Sequence, residues 1–405
     1  MKCLILTAII FIVPCSGQEI LTAEAAVAQA LAGHPLIKAS EARIAARGGE
    51  LRQAGMAPNP TFIFQHENIR SAPGNLSYWT WTDTFAYLEQ RIETAGKRGR
   101  RKESAAAVVE RAEYEAELTR EMVAGNVKRA YWEAAGKQRV HELLLESAKT
   151  FLLTVRYHEV RVAEGAAAEG DLLRIRLESE RLNLAAQTAY LEEERARVAL
   201  FRAMGSERIP DQVQFEALEF SEGTMAPPDV QRALADRAAM KVARQTVEQA
   251  RRQVLLSRSN AKPDVGLLAG YKRTAGYDSL LAGVKVDLPL FNRNQGSVAA
   301  ASSRVEAARA ELRSMAAVVR AEVALARRDW EIRRDQILKS LRPMREQARE
   351  SAEIAQAAYR EGGWDLLRLL DAERLRIEIE LLYQEALAAY RGSVVELEIA
   401  MGVTQ

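Results

Sequence analysis

Two stretches decide the fold: Trp79-Thr80-Trp81-Thr82-Asp83-Thr84-Phe85-Ala86-Tyr87 and Leu280-Leu281-Ala282-Gly283-Val284-Lys285-Val286-Asp287-Leu288. Each alternates with period two, the repeat of a β-strand. In the second, Leu280, Ala282, Val284, Val286 and Leu288 make an apolar face, and Lys285 and Asp287 lie on the other. A partner strand precedes each. Thr61–Gln65 follows Pro58-Asn59-Pro60 and is separated from the first stretch by the turn cluster Ser71–Asn75. Val265–Tyr271 follows Pro263 and leads through a turn at Gly276 into the second. The result is two hairpins of roughly ten-residue strands, the length of a strand that crosses an outer membrane apolar side outward. Four strands cannot close a barrel, and open sheet edges are excluded from lipid. Membrane-spanning strands would therefore require several chains to share one barrel. Alternation alone serves two hairpins of a half-buried soluble sheet equally well. The flanking sequence tilts the balance toward the membrane.

Those flanks are long and nearly free of proline. None occurs between Pro73 and Pro210, and only Pro343 follows Pro289. Proline breaks helix interiors, so two very long helical tracts are permitted. Ala, Glu, Arg and Leu dominate, and aromatics are only 6% of the chain, as in long helices and coiled coils. A helix from Lys97 to about Glu164 would span ~100 Å at ~1.5 Å per residue and needs lateral partners along its length. Leu370, Ile377, Leu381, Ala388, Val395 and Ile399 recur at coiled-coil spacing in the last tract. An elongated soluble bundle explains such helices, but not hairpins inserted at equivalent points.

The insertion points are equivalent because the chain is duplicated. One constant interval relates Gly99 to Gly296, Glu164-Gly165 to Glu361-Gly362, Leu172-Leu173 to Leu369-Leu370, and Ala203-Met204-Gly205 to Ala400-Met401-Gly402. A slightly longer one relates Ala30-Leu31-Ala32 to Ala233-Leu234-Ala235 and Pro60 to Pro263. Each half reads as a helix of about 30 residues, a β-hairpin, a very long helix, a glycine turn and another long helix. The expected organisation is a first repeat over 18–205 (hairpin about 60–92, helical hairpin about 97–205), a linker or equatorial region over 206–227, and a second repeat over 228–405 (hairpin about 263–290, helical hairpin about 296–402).

Residues 1–17 read as a signal peptide, with Lys2 before the apolar run Leu4–Val13 and small residues before Gln18. The alternative is a buried N-terminal strand or helix. Cys3 and Cys15 both fall in this segment, so a mature chain starting near Gln18 has no disulfide or thiolate site. Lipidation of Cys15 is a further alternative, against which Pro14 counts. Beyond residue 17 no apolar run approaches the ~20 residues of a membrane helix, which leaves the periplasm, the exterior or an outer-membrane barrel. Lys and Arg (57) nearly balance Asp and Glu (55), so nothing points to a polyanion, and no nucleic-acid partner is expected. The basic run Arg98–Lys102 reads as charge at a strand-to-helix junction on the membrane face.

With signal peptide, duplication, hairpins and glycine turns together, the chain resembles the TolC-type outer-membrane efflux proteins over essentially its whole mature length. Gly96-Lys97-Arg98-Gly99 and Leu288-Pro289-Leu290-Phe291-Asn292-Arg293-Asn294-Gln295-Gly296 are most similar to the cobalt–zinc–cadmium and copper–silver branch. The resemblance implies a mainly α fold with a small β part. Four strands per subunit would enter a trimeric 12-stranded transmembrane β-barrel, continued by an α-helical coiled-coil barrel across the periplasm of a Gram-negative cell. It implies a homotrimer in contact with outer-membrane lipid, a periplasmic adaptor (membrane-fusion) protein and an inner-membrane RND pump. It also implies a passive export duct for heavy-metal cations, with drugs or other small molecules as the alternative cargo. Family members commonly carry paired aspartates at the periplasmic tip. Here Asp371 matches the second and Arg368 replaces the first, with Asp171 and Arg174 at the equivalent places in half one. These four residues are the expected gate, held by Asp–Arg pairs; the alternative is ordinary exposed salt bridges worth ~0–1 kcal/mol. The turns Glu164-Gly165 and Glu361-Gly362-Gly363-Trp364 are the expected adaptor contact, with Trp364 either an exposed anchor or a packed core residue.

No nucleophile elbow, phosphate loop or nucleotide fingerprint occurs, so no enzyme, catalytic residue or cofactor is expected. His34, His66, His141 and His158 form no zinc pattern, so no metal site is expected, although His66, Glu67 and Asp83 are candidates to meet in a barrel lumen. A soluble periplasmic coiled-coil scaffold or adaptor remains the contrasting function.

Overall fold

The computed structural model describes residues 20–69, 82–220 and 229–403. The expected signal peptide with Cys3 and Cys15, the Ser71–Asn75 turn, Trp79, Trp81, and the Pro227-Pro228 end of the linker lie outside the described residues. No described helix is long and apolar enough to cross a membrane.

Two compact units emerge, each assembled from both halves of the sequence. The sheet unit falls within 36–120 and 229–322. Its strands are β2 (Thr61–Glu67), β3 (Asp83–Ile92), β5 (Val265–Thr274) and β6 (Tyr277–Val286), hydrogen-bonded in the order β2-β3-β5-β6 and antiparallel throughout. The β5–β6 hairpin turns at Ala275-Gly276, both at positive φ (51° and 86°), the backbone a tight two-residue hairpin favours. β3 runs past Tyr87 to Ile92 because β5 offers partners that far, Gly266 to Arg91 and Val265 to Ile92. β6 stops at Val286, short of the expected Leu288, where β5 ends and Pro289 approaches.

The helical unit falls within 1–35, 121–228 and 323–405. A short parallel pair, β1 (Ile20–Leu21) and β4 (Gln214–Phe215), ties the start of the described chain to the segment read as linker. Buried Tyr131 secures it by donating to Leu21 O (2.7 Å) and accepting from Glu216 N (3.1 Å); burial pushes its phenol pKa far up. α3 (Lys97–Ala163), which belongs to this unit from residue 121 onward, is continuous over 67 residues. α4 (Glu169–Ala203) buries Leu172, Ile175, Ser179, Leu182, Ala186 and Ala189 along a heptad-like seam. The matching tract of half two is α7 (Gln295–Asp335), a π segment (Gln336–Leu341) and α8 (Arg342–Arg360). The π segment lies just ahead of Pro343: the backbone stays helical through Leu341 and Arg342, and the wider turn accommodates the proline ring and its missing N–H. α9 (Leu366–Met401) completes the unit. Of its expected seam, Leu370, Ile377 and Val395 are buried and Leu381 is half-buried. Ala388 and Ile399 meet glycines of α3: a Cβ added at Gly136 would lie 2.6 Å from Ala388 Cβ, and one at Gly125 2.6 Å from Ile399 Cδ1.

The glycines shared by the two halves have a local physical cause. Gly165, Gly205, Gly362 and Gly402 all sit at left-handed φ (68–77°), and each closes a helix with the same pair of bonds. In the first, Gly165 N reaches Val162 O and Ala166 N reaches Arg161 O; in the third, Gly362 N reaches Tyr359 O and Gly363 N reaches Ala358 O. This is the Schellman cap, for which glycine is the low-strain residue. The first helix of each half is broken rather than continuous. α1 (Ala23–Gly33) ends at His34 and α2 (Pro35–Ala54) follows, while α5 (Val230–Asp236) ends at Arg237 and α6 (Ala238–Asn260) follows. His34 (φ −61°, ψ 128°) and Arg237 (φ −60°, ψ 131°) adopt the same extended conformation. Pro35 enforces it in half one by excluding its predecessor from the α region.

Candidate functional site

The register sorts the sheet into two unlike faces, since alternate residues point to opposite sides. One face carries Phe62, Phe64, Leu88, Ile92, Leu267, Tyr271, Leu280, Val284 and Val286, every one exposed. The other carries Gln65, Glu67, Asp83, Glu89, Arg91, Lys272 and Lys285, with Lys285 Nζ 3.1 Å from Glu89 Oε1. At ~1.5–3 kcal/mol per large apolar side chain left in water, the first face represents on the order of 10 kcal/mol, comparable to the whole stability of a domain. Such a face belongs against an apolar phase. Within the chain the sheet is open, with β2 and β6 at its edges. Unpaired edges are not tolerated in lipid, so the sheet is one part of a larger closure.

His66 and Glu67 alternate and therefore face opposite sides. His66 Nδ1 pairs with Thr84 Oγ1 (3.1 Å), while Asp83 stands opposite Glu67 and accepts from Asn68 Nδ2 (2.7 Å). The candidate lumen trio is thus split, and no cluster fit for a metal ion occurs among the described residues.

The joint between β3 and α3 is pinned by ions. Asp264, just before β5, accepts from Lys97 Nζ (2.7 Å) and Thr94 N (3.1 Å) on one oxygen and from Arg91 Nη2 (2.5 Å) on the other. Burial alone would raise the Asp264 pKa. The ammonium, the backbone N–H and the guanidinium outweigh it and hold the carboxyl at about 2. Nothing in the spacing of Arg91, Lys97 and Asp264 announces this cluster, because the residues come from different halves of the chain.

At the other site, the glycine turns, Leu144, Phe151, Val155, Leu172, Ile175, Leu366, Leu370 and Ile377 form one apolar cluster. Trp364 packs against it and is half-buried. Glu164, Gly165, Glu361, Gly362 and Gly363 are exposed. Asp365 caps α9 through Arg368 N (3.0 Å), and the Arg368 guanidinium lies 5.7 Å from the Trp364 ring centre. Asp371 is exposed and reaches Arg374 on its own helix (3.9 Å). Arg174 is exposed and Asp171 half-buried; among the described residues no ion pair joins Asp171 to Arg174 or Arg368 to Asp371 within one chain. Two links between helices were not legible in the sequence. Buried Glu178 of α4 binds Arg374 of α9 (2.6 Å) as well as its neighbour Arg181. Buried His158 of α3 meets the Tyr359 hydroxyl of α8 at 3.1 Å through Nε2, and among the described residues its Nδ1 has no hydrogen-bond partner.

An exposed apolar sheet face, an open sheet and long paired helices define the subunit of an outer-membrane duct. The chain belongs to the outer membrane efflux protein family, whose pattern matches residues 26–206 and 230–403. It is 26% identical to the cobalt-zinc-cadmium resistance protein CzcC of Cupriavidus metallidurans, over 93% of this chain and 89% of that protein. It is 28% identical to the nickel-cobalt-cadmium resistance protein NccC of Alcaligenes xylosoxydans, over 74% of this chain and 67% of that one. Its fold matches the crystal structure of CusC with a TM-score of 0.77 at 18% identity, covering 94% of this chain and 92% of that one. The protein is therefore an outer-membrane efflux channel component, and the soluble-scaffold alternative is set aside.

Proposed function

We propose that this protein is the outer-membrane duct of a three-part efflux system that exports heavy-metal cations. The similarity to CzcC and NccC, both named for resistance to cobalt and cadmium, supports the cargo. The open amphipathic sheet supports the assembly. Three copies supply twelve strands, close the barrel, and turn every exposed apolar face toward lipid and every charged face toward the lumen. The helices favour self-association as well. On α4, Leu177, Leu184, Leu191 and Val198 recur every seven residues and all remain exposed, an unfilled coiled-coil seam that a second copy would cover. The exposed turns at Glu164-Gly165 and Glu361-Gly363 are the docking points for a periplasmic adaptor, which couples the duct to an inner-membrane RND pump.

The gate is the ring formed by Asp171, Arg174, Arg368 and Asp371 across three subunits. Opposite charges at equivalent places in the two halves allow pairing between neighbours, and a carboxylate in a constriction favours cations. Asp371→Ala and Arg368→Ala are expected to raise the resting conductance of the purified channel; an unchanged closed state places the gate elsewhere. Cargo is tested by deletion, followed by growth on zinc, cobalt, cadmium, copper and silver beside dyes and antibiotics. Selective loss of metal tolerance is expected, and loss of drug tolerance alone would point to the small-molecule alternative.

A further inference from the structure

The charged face of the sheet is layered, and its layers differ in charge. Thr61 and Ile92 lie at the end that meets the helices, so Glu67 and Asp83 mark the far end. Register places Gln65, Phe85, Lys272 and Ser279 side by side in the next layer toward the helices. Beneath them lie Ile63, Tyr87, Gly270 and Leu281, a layer without charge. Phe85, Tyr87, Lys272 and Leu281 are half-buried, whereas Phe62, Phe64, Leu88 and Leu280 on the opposite face are exposed. That is the pattern of a sheet curved toward its charged side.

Three cations stand on this face, and two are neutralised. Arg91 pairs with Asp264 (2.5 Å) and Lys285 with Glu89 (3.1 Å). Lys272 differs. Among the described residues no carboxylate pairs with it, and its Nζ lies 5.4 Å from the centre of the Phe85 ring. An aromatic face attracts an ammonium without cancelling its charge, so the side chain is oriented while the charge stays whole. The carboxylates of the outer layer are engaged by neutral donors instead. Asp83 accepts from Asn68 Nδ2 (2.7 Å) and Ala275 N (3.2 Å), and Glu67 from Gln65 Nε2 (2.6 Å).

We infer that Lys272 sets the ion selectivity of the barrel lumen: three copies form a ring of ammoniums beneath the acidic rim, and the ring hinders free cations. The inference rests on the trimeric, membrane-spanning reading of the sheet. Strand spacing puts the three charges about 10 Å from the axis of a twelve-stranded barrel. Screened over a Debye length, they disfavour a monovalent cation there on the order of twofold and a divalent one on the order of fourfold. The barrier is the same in both directions, but only the outward flux is driven by a pump. The ring therefore acts mainly against the passive return of exported cations.

The test measures the potential beside Lys272. Cys3 and Cys15, the only cysteines, fall in the expected signal peptide, so Ser279→Cys in Lys272's own layer serves as a single reporter in the trimer reconstituted in phospholipid vesicles. Its rates of modification by an anionic sulfonate and a cationic trimethylammonium methanethiosulfonate are compared at low salt. Adding Lys272→Gln is expected to lower the anion-to-cation rate ratio on the order of fourfold, Lys272→Arg to preserve it, and high salt to abolish the difference. Leu280→Cys, on the opposite face, is expected to be inert to both reagents. An unchanged ratio in Lys272→Gln, with Ser279→Cys reactive and Leu280→Cys inert, overturns the ring alone and shows that Glu67 and Asp83 cancel it. A ratio lost equally in Lys272→Arg also overturns it, because the role is then structural. A reactive Leu280→Cys beside an inert Ser279→Cys overturns the membrane reading of the sheet and the ring with it.

Discussion

At the residue scale, Asp264 shows how far a single carboxyl can matter. Its charge is compensated by Lys97, Arg91 and the Thr94 N–H in a site that is nearly closed to water. Removing one partner of a buried pair strands the other at a cost of ~3–5 kcal/mol. Lys97→Met is therefore expected to lower the thermal midpoint of the solubilised protein and to raise hydrogen exchange around Thr94, whereas Lys102→Met, on an exposed neighbour, leaves both unchanged. Because the folded pKa of Asp264 is depressed to about 2, its contribution is complete above the unfolded carboxyl value of ~4 and disappears as pH falls toward 2. Loss of joint protection only in that acid window in the wild type, and its absence in Asp264→Asn, is the expected pattern. None of this was legible from sequence, since an ion cluster needs the register of β3 against β5. The capping glycines, by contrast, were legible. A left-handed cap restricts the residue type at one position regardless of what packs around it, so Gly165 and Gly362, or Gly205 and Gly402, mark the repeat even where intervening residues have diverged.

At the scale of elements, the hairpins and the longest helix follow directly from alternation and from missing proline. The departures arise where tertiary partners decide. β3 extends to Ile92 because β5 is there to pair, and the second helical tract accepts Pro343 by passing through a π segment. The tip cluster is another tertiary product. His158 reads as an ordinary polar residue on a long helix, yet it is buried beneath Tyr359 of α8, with Tyr157 edge-on at 5.5 Å. Burial lowers its pKa, Arg161 lowers it further, and Asp171 of α4 opposes both. A histidine kept neutral by the fold contributes fully above its unfolded pKa of ~6.5, and that contribution is lost as pH falls below it toward the folded value. The protection factors of the 150–175 and 355–372 segments, exchange rates corrected for the intrinsic pH dependence of the amides, are therefore expected to fall between pH 7 and pH 5, and His158→Phe to remove most of that fall. An equal fall in both proteins would exclude His158 as the cause.

For the whole molecule, the central point is incompleteness. Among the described residues of one chain, the amphipathic sheet has edges without partners and an apolar face without cover, and a heptad stripe on α4 is bare. These three features are satisfied together by copies of the same chain in a membrane, and none is satisfied by a soluble monomer. Sequence reading reached this architecture through four short strands flanked by helices too long for one core. It did not reach the ion pair between helices, where Arg374 of α9 binds buried Glu178 of α4. The most direct test of the account is single-channel recording in planar bilayers with protein extracted from outer membranes. Heat-resistant trimers that insert and conduct in discrete steps are expected. A monomer recovered in the soluble periplasmic extract that leaves the bilayer silent would contradict it.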